Sequence, residues 1–442
     1  MSAPSLEDGR PRVSTAWILT FGLLYLAVNV SWAGPSQLLI GNQVYNWEPE
    51  RKEQLFALIM AVGGLFSLLV TPLWGVLSDR TRSRFGRRSP WIVGGSIASA
   101  VALVGLGLAP GFAVLLVGWV IFQVAIAAAV NASLALPADM VSRSQFGVVS
   151  GVMGISYTLA LVLGTLLASS LSILTAYVVT AVLLLAGIAP FLLRFGATPV
   201  LDTPPPQVAE PAAAGEGALG SGADGAFAGG AFAGGSAVVA EDADGEEPTE
   251  AAARGGYGDF MKVALSRLAA TLGNTVALFY LLYYLRDRIG MADPDLGVLI
   301  LTGVYAACAV AASIISGRLS DRSGTRRPYV AVGALGVSAA CVLMMFAHSF
   351  WVVVIAAVIL GLAWGIFTAV DQALINQVLP SASTRGRDMG LMSLAVGVPN
   401  MLAPVVAAFS LSMLGGYAGL YLTAAVLAAV GALSVMTVRG SR

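Results

Sequence analysis

The chain has 442 residues, of which 57% are hydrophobic and only 11% are charged, and its 24 basic residues balance 24 acidic ones. Soluble domains carry roughly a quarter charged residues, so this composition excludes an ordinary soluble protein and indicates a chain that lies in lipid. The balanced charge favours no nucleic-acid partner, and with a single His we expect no metal, no cofactor and no enzymatic activity.

Twelve apolar segments are long enough to cross a membrane. Spanning roughly 30 Å of hydrocarbon takes about 20 helical residues, and the backbone must be helical because its polar groups cannot stay unpaired in lipid. The predicted spans cover residues 16–38, 54–78, 90–109, 112–136, 147–169 and 172–194, then 260–285, 296–317, 328–347, 351–376, 389–413 and 415–438. The predicted fold class is therefore an all-α membrane protein with twelve transmembrane helices.

A short motif follows the second span and returns after the eighth. The first copy consists of Gly75, Asp79 and Arg80 followed by Gly86, Arg87 and Arg88, and the second of Gly317, Asp321 and Arg322 followed by Gly324, Arg326 and Arg327. In both copies a Pro and an aromatic residue come soon afterwards. This duplication predicts two related six-helix halves, an arrangement in which many transporters build a central site that opens to either side.

The charged loops predict the orientation of the spans. Arginines concentrate in the loops after the second, fourth, eighth and tenth spans and near both termini, whereas the opposite loops, such as 48–53 and 286–295, carry few or mixed charges. Because arginine-rich loops stay on the cytoplasmic side of a membrane, we expect both termini to be cytoplasmic.

Residues 197–256 differ in composition from everything around them. They are rich in Gly, Ala and Pro, repeat Ala-Phe-Ala-Gly-Gly at 226–235, and carry six acids between Glu241 and Glu250. Such a segment cannot bury a core, so we expect a disordered cytoplasmic linker between an N-terminal bundle of residues 1–196 and a C-terminal bundle of residues 257–442. A docking role is the alternative for this linker, although no motif in it points to a partner.

With twelve spans, a 6+6 division and the duplicated loop, the chain resembles the major facilitator superfamily over nearly its whole length. The first loop, from Ser78-Asp79-Arg80 to Gly86-Arg87-Arg88, is longer than the common form and is similar to that of the glycoside–pentoside–hexuronide and sucrose-transporter branch.

The chain departs from that branch in the residues expected for ion coupling. Sugar–cation symporters of that branch often carry acids within helices 2 and 4, whereas residues 54–77 contain none and the fourth span has none before Asp139.

The resemblance implies alternating access, with a cytoplasmic gate built from the two motif copies. In the family, the Asp of each copy lies against the start of a helix in the other half, where the positive end of the helix dipole faces it. The resemblance therefore places Asp79 beside the start of the eleventh span near Asp388, and Asp321 beside the start of the fifth near Gly147. In the alternative interpretation the arginines only set the topology.

Polar and aromatic residues at membrane depth are the candidate solute-binding residues, since polar groups in lipid usually face a cavity or a helix partner. The candidates are Asn29, Trp32, Gln37, Gln123, Asn131, Tyr157, Asn274, Tyr280, Tyr283, Tyr305, Trp364 and Asn400. Amides can bond hydroxyl groups and aromatic rings can stack on the apolar faces of sugars, so this set suits a neutral hydroxylated solute. Helix–helix hydrogen bonding is the alternative for each residue.

Asp371 is the deepest acid in the predicted spans, about twenty residues into the tenth. An acid at this depth is expected to have a functional role or a charged partner. It could carry a coupling proton, or it could pair with Arg385 or Arg387 as part of the gate, and the sequence leaves both roles open.

These observations predict a secondary active transporter for a sugar, a glycoside or a similar small hydrophilic solute, with proton coupling if Asp371 carries the proton. Efflux of a drug or natural product is the alternative within transport, because aromatic-rich cavities also suit aromatic drugs. A non-transporting sensor would need a signalling domain, and the linker is too low in complexity to be one. The expected partners are the lipid bilayer, the solute and a co-transported proton, and the chain is expected to act as a monomer in a bacterial plasma membrane.

Overall fold

The computed structural model describes residues 12–83, 85–196, 250–323, 325–378 and 385–438. Within these ranges the chain forms twelve long helices and no strand. The helices are α1 (Thr15–Trp47), α2 (Lys52–Arg80), α3 (Ser89–Gly107), α4 (Phe112–Met140), α5 (Phe146–Ser170), α6 (Ile173–Phe195), α7 (Glu250–Phe279, continued by Leu281–Asp287), α8 (Pro294–Ser323), α9 (Arg327–Phe346), α10 (Phe350–Val378), α11 (Arg385–Met413) and α12 (Tyr417–Met436).

The predicted fold class is confirmed, because every predicted span coincides with a helix. In the described part of the chain, ten helices are long and apolar enough to cross a membrane, and the bent α7 is an eleventh. In α11 the apolar stretch is Gly397–Met413. Of the predicted linker, residues 197–249 lie outside the described residues, while 250–256 belong to α7, so this helix begins earlier than its hydropathy indicates.

Helix α1 continues well past the end predicted at residue 38. Proline removes a backbone donor and normally ends or kinks a helix, but Pro35–Leu39 form one π-helical turn in which the Ile40 N–H bonds to the Pro35 carbonyl. A π turn absorbs the irregularity without breaking the helix. As a result, α1 reaches Trp47 and carries Asn42 and Tyr45 to the end of the molecule opposite the arginine-rich loops.

The two halves repeat the same packing pattern. In the first half α1 packs on α5 and α6, α2 and α3 both pack on α4, and α3 packs on α6. In the second half α7 packs on α11 and α12, α8 and α9 both pack on α10, and α9 packs on α12. Each contact in one half therefore has its counterpart six helices later, which identifies two pseudo-symmetric six-helix bundles.

The two bundles meet through α2 against α11 and α5 against α8, and these two contacts are themselves related by the pseudo-symmetry. Residues between the contacts are held apart, and this leaves a central space. In the following description, the basic end is the end of the bundles that carries the motif loops after α2 and α8, and the opposite end carries the loops after α1 and α7.

Candidate functional site

A cavity lies between the two bundles. It encloses about 1360 Å³ of space not filled by protein atoms, counting the open space at its mouth. Most of its walls are apolar, and none of the described lining residues is Asp, Glu, Lys, Arg or His. The polar and aromatic lining residues are Trp32, Ser36, Gln37, Ser67, Trp119, Gln123, Thr275, Phe279, Thr302, Tyr305, Asn400 and Tyr421.

Gln37 provides a free hydrogen-bond donor in this cavity. Its Oε1 accepts a hydrogen bond from Thr302 Oγ1 in the other bundle at 3.2 Å, whereas its Nε2 is buried and has no hydrogen-bond partner among the described residues. Because buried polar groups are nearly always hydrogen-bonded, a free amide donor at a cavity wall favours a ligand or water that accepts from it. Trp119, also on the lining, likewise has a buried Nε1 without a hydrogen-bond partner in the described part of the chain.

Five of the twelve solute-binding candidates line this cavity. They are Trp32, Gln37, Gln123, Tyr305 and Asn400. They come from α1, α4, α8 and α11, so both bundles contribute. Sequence reasoning missed Trp119, Thr275 and Thr302, although a Trp or a Thr at membrane depth is the same kind of signal as those that were selected.

The other seven candidates lie away from the cavity wall in this conformation. Asn29 and Asn131 donate to carbonyls one turn back on their own helices, those of Tyr25 and Ala127, each at 2.7 Å. The remaining five are not among the lining residues. The Tyr157 hydroxyl and the Asn274 amide are buried without a hydrogen-bond partner among the described residues. Trp364 stacks on Phe367, and Tyr280 and Tyr283 donate to backbone carbonyls of the first bundle at the opposite end. Their assignment to a solute site stays a prediction.

A polar seam closes the opposite end. Asn42 of the first bundle donates to both carboxylate oxygens of Asp295, at 3.0 and 2.8 Å, and accepts from Arg286 Nη2 at 2.9 Å. The Arg286 guanidinium also lies 4.0 Å from the centre of the Tyr45 ring. Each of these contacts joins α1 to α7 or α8, so the seam holds the two bundles together at this end.

An ion pair and two tyrosine hydrogen bonds extend this seam. Lys52 Nζ lies 3.0 Å from both carboxylate oxygens of Asp287, and Tyr283 donates to the Gly41 carbonyl at 2.9 Å. Tyr280 donates to the Glu53 carbonyl at 2.6 Å. The bend of 43° between the two segments of α7 aims these tyrosines at the first bundle. Sequence reasoning missed the seam, since these loop charges were used only to set the topology.

At the basic end the first motif copy closes on its own bundle. Arg88 pairs with Asp79 at 2.7 Å and with Asp139 at 2.9 Å, and Arg87 also pairs with Asp139. Gly86 adopts φ = +80°, a left-handed conformation that favours glycine, so the motif glycine serves the turn between the two charged segments.

The Asp79 side chain binds Arg88 and remains 53% exposed, and the side chains at the start of α11, its predicted gate partner, lie outside the described residues. The side chains of Asp321 and Asp388, and the residue Gly324, lie outside the described residues. Asp139 is the partner that sequence reasoning missed, although it was noticed as the first acid of the fourth span. The gate role of both motif copies stays a prediction.

Asp371 is buried, with 3% of its surface exposed, and one oxygen lies 3.3 Å from Arg267 Nη1 of α7. Its other oxygen, Oδ1, is buried without a described partner. The side chains of Arg385 and Arg387 lie outside the described residues. Arg267 lies inside the predicted span 260–285, and a charge in lipid usually has a charged partner. This was the signal in the sequence for the pairing with Asp371.

The match to known proteins agrees with this architecture. The sequence profile of the Major Facilitator Superfamily matches residues 15–239 and 263–441. The chain belongs to the Major Facilitator Superfamily. The structure of the human organic anion transporter MFSD10 (TETRAN) superposes with a TM-score of 0.64 over 95% of this chain and 99% of that one, at 16% identity. At that identity the likeness shows the fold alone, and this family and fold are typical of transporters rather than enzymes.

Curated relatives of this superfamily member match over shorter stretches. An uncharacterised symporter of Synechocystis is 37% identical over 22% of this chain and 15% of its own length. The general alpha-glucoside permease of Schizosaccharomyces pombe is 28% identical over 24% of this chain and 18% of its own length. The sucrose transport protein SUC4 of Arabidopsis thaliana is 30% identical over 27% and 22%. Each match thus covers less than a quarter of the relative.

Proposed function

We propose that this superfamily member is a secondary active transporter that carries a small neutral hydroxylated solute, such as a sugar or glycoside. The observation that carries the proposal is the cavity between the bundles, whose described lining is uncharged and in which the Gln37 amide donor has no partner among the described residues. A charged solute in an apolar cavity would need an opposite charge, which the described lining lacks. A hydroxyl oxygen, by contrast, can accept the Gln37 Nε2 hydrogen bond, and the aromatic residues Trp32 and Trp119 line the same cavity.

The relatives named for sugars support this solute class. Their names, a glucoside permease and a sucrose transport protein, belong to those proteins, and the match to each is partial. The apolar share of the lining, which includes Leu68, Met60 and Leu278, favours the second candidate, efflux of an apolar drug or natural product. The first candidate requires binding of a sugar or glycoside and the second requires binding of an apolar drug or natural product, so a ligand screen distinguishes them.

Alternating access is part of the proposal, and the seam supports it. The seam residues join the bundles through side chains that can separate, while α2 packs on α11 and α5 packs on α8 over longer contacts between helices. Opening the seam and closing the basic end would move the cavity to the other side of the membrane. In the state whose basic end is closed, we assign the gate to the two motif copies. In that state Asp79 would leave Arg88 and contact the start of α11.

Coupling to a proton is the remaining element of the transport cycle. We place the proton on Asp371, since its Oδ1 is buried and has no described partner while Arg267 holds the other oxygen. The chain is proposed to work as a monomer in the bacterial plasma membrane, with the basic end and both termini in the cytoplasm. The arginines of the motif loops support that orientation.

The deciding experiment is a thermal-shift screen of the purified full-length protein against sugars, glycosides and aromatic drugs, because a ligand stabilises the state that binds it. We expect a sugar or glycoside to raise the Tm, and Gln37→Met, which keeps the side-chain volume but removes the amide, to abolish the shift. Gln145→Met is the matched control, as the Gln145 side chain bonds the Val13 backbone and is not among the cavity lining residues. Stabilisation by drugs but by no sugar would support efflux instead.

A further inference from the structure

The second bundle carries a groove on its lipid-facing side. Since α8 and α9 both pack on α10, a cleft remains between them, with Leu362 of α10 at its floor. Its walls include Ile315 and Leu319 of α8 and Val332 of α9. These side chains are apolar yet 47–59% exposed, so in a membrane they contact acyl chains rather than protein. The groove ends near Thr325 and Pro328, at the basic end.

The first bundle fills the corresponding place with two indole rings. Aligning the two motif copies matches Gly75 with Gly317 and the following prolines with each other, so Trp74 corresponds to Ser316 and Trp91 to Tyr329. The rings of Trp74 and Trp91 lie 5.3 Å apart. Where the first half has two large rings, the second half has one ring and a serine.

The backbone position covered by Trp74 corresponds to the floor of the groove. Trp74 Nε1 donates to the Val124 carbonyl of α4 at 2.9 Å. Val124 stands twelve residues after Phe112, the first residue of α4, and Leu362 stands twelve residues after Phe350, the first residue of α10. Replacing a Trp by Ser316, a small buried residue that lines the groove, therefore uncovers this part of α10.

Positive charge lies at the basic end of the groove. The groove residues Ala312, Ile315, Ser316 and Leu319 follow helical spacing on one face of α8, and Arg322 stands one turn further along the same face. Arg322 is exposed. From Gly317 to Tyr329 the sequence has four arginines and one acid, which gives a formal charge of +3 for this segment.

We infer that this groove binds an anionic phospholipid, with one acyl chain between α8 and α9 and the phosphate at Arg322. A mostly apolar groove fits part of an acyl chain, and an arginine at its end fits a phosphate because guanidinium binds phosphate oxygens with paired hydrogen bonds. The site is specific to the second half, since tryptophans fill the equivalent place in the first. It is independent of the solute that the central cavity carries.

The binding test uses the purified full-length protein and native mass spectrometry with dioleoyl phosphatidylglycerol. We expect Ser316→Trp, which copies the first half, to lower the bound lipid at least fivefold, whereas Ser316→Ala keeps it. We expect Arg322→Gln to remove the preference over dioleoyl phosphatidylcholine, whereas Arg80→Gln, at the counterpart position beneath the filled place, keeps it. Equal lipid occupancy in Ser316→Trp and the parent protein would overturn the inference.

A second measurement locates the lipid without relying on variants that must fold. Phosphatidylglycerol with a photoreactive diazirine in its acyl chain is added to the unmodified protein, and the labelled peptides are mapped. We expect labels on peptides that contain Ser316, Val332 and Leu362, well above those on peptides that contain Trp74 and Trp91. Equal labelling of the two halves contradicts a site specific to the second half. Excess glycerol phosphate is added as a competitor that carries the phosphate without acyl chains. If it removes the label completely, the site binds a free phosphate at Arg322 and not a phospholipid, which overturns the inference.

Discussion

At the scale of the residue, burial decides how each polar side chain is used. Gln37 has one amide oxygen held by Thr302 and an amide nitrogen left for the cavity. Asn29 and Asn131 lie at similar depth, but their amide nitrogens donate to backbone carbonyls of their own helices. The sequence could place all three at membrane depth. It could not tell these uses apart, because helices that are apolar all round carry no stripe to show which face meets the cavity.

The buried pair of Arg267 and Asp371 is the residue-scale feature with the largest expected effect on stability. Removing one partner of a buried ion pair leaves an uncompensated charge and typically costs about 3–5 kcal/mol. We expect Arg267→Gln to lower the Tm of the purified protein strongly, because Asp371 then has no described partner for either oxygen. The double variant Arg267→Gln with Asp371→Asn should regain most of the loss. A double variant as unstable as the single one would show that the two charges do not stabilise each other.

Proton coupling is tested on the same carboxyl group. In proteoliposomes with a solute found by the thermal-shift screen, we expect solute-driven proton uptake in the parent protein and none in Asp371→Asn, whereas solute exchange without a gradient continues. The amide keeps the shape of the side chain but cannot release a proton in this range. Proton uptake that persists in Asp371→Asn would move the coupling to another group.

At the scale of the element, hydropathy predicted the helices well and irregular backbone poorly. The twelve helices follow from span length and apolar composition. The π turn at Pro35–Leu39 and the bend at Tyr280 do not, since both depend on how neighbouring helices satisfy the backbone. These two irregular places carry Asn42 and Tyr283 to the seam, so the functional contacts arise where the regular pattern fails.

Close contact between α1 and α5 depends on small residues. A Cβ at Gly164 would lie 2.8 Å from the Gly34 nitrogen and 2.8 Å from the Ala33 Cβ, which is too close for any real contact. We expect Gly164→Val to destabilise the protein by about 1–3 kcal/mol, the usual range for overpacking, as measured by thermal unfolding. Gly151→Val on the same helix is the control, because a Cβ there meets nothing within 4 Å. Equal Tm values for the two variants would contradict the packing role of Gly164.

At the scale of the whole molecule, internal duplication specifies most of the architecture. The duplicated motif in the sequence predicts two related halves, and the packing of α1–α6 is repeated by α7–α12. What duplication cannot specify is the point where the halves differ. The seam uses Asn42, Lys52, Arg286 and Asp295, which are not symmetry partners of one another, so their contacts become visible only once the halves are placed together.

The seam should control which end of the molecule is closed. Lys52 and Asp287 attract each other at 3.0 Å across the two halves, so Lys52→Asp replaces attraction by repulsion between like charges. We expect this variant to open the opposite end for a larger fraction of molecules. Restoring the pair in swapped order, with Lys52→Asp and Asp287→Lys together, should close it again.

The distance across this end is measured between two spin labels. The labels are attached to Cys residues at the exposed positions Glu50 and Ala292, in a background with Cys308→Ser and Cys341→Ala. Repulsion should lengthen that distance, and the swap should return it toward the parent value. Because salt screens partly exposed charges, the difference between the single and swapped variants should shrink as the salt concentration rises. Identical distance distributions in all three proteins would show that the ion pair does not hold the seam, and closure would then rest on the hydrogen bonds of Asn42 and Tyr283.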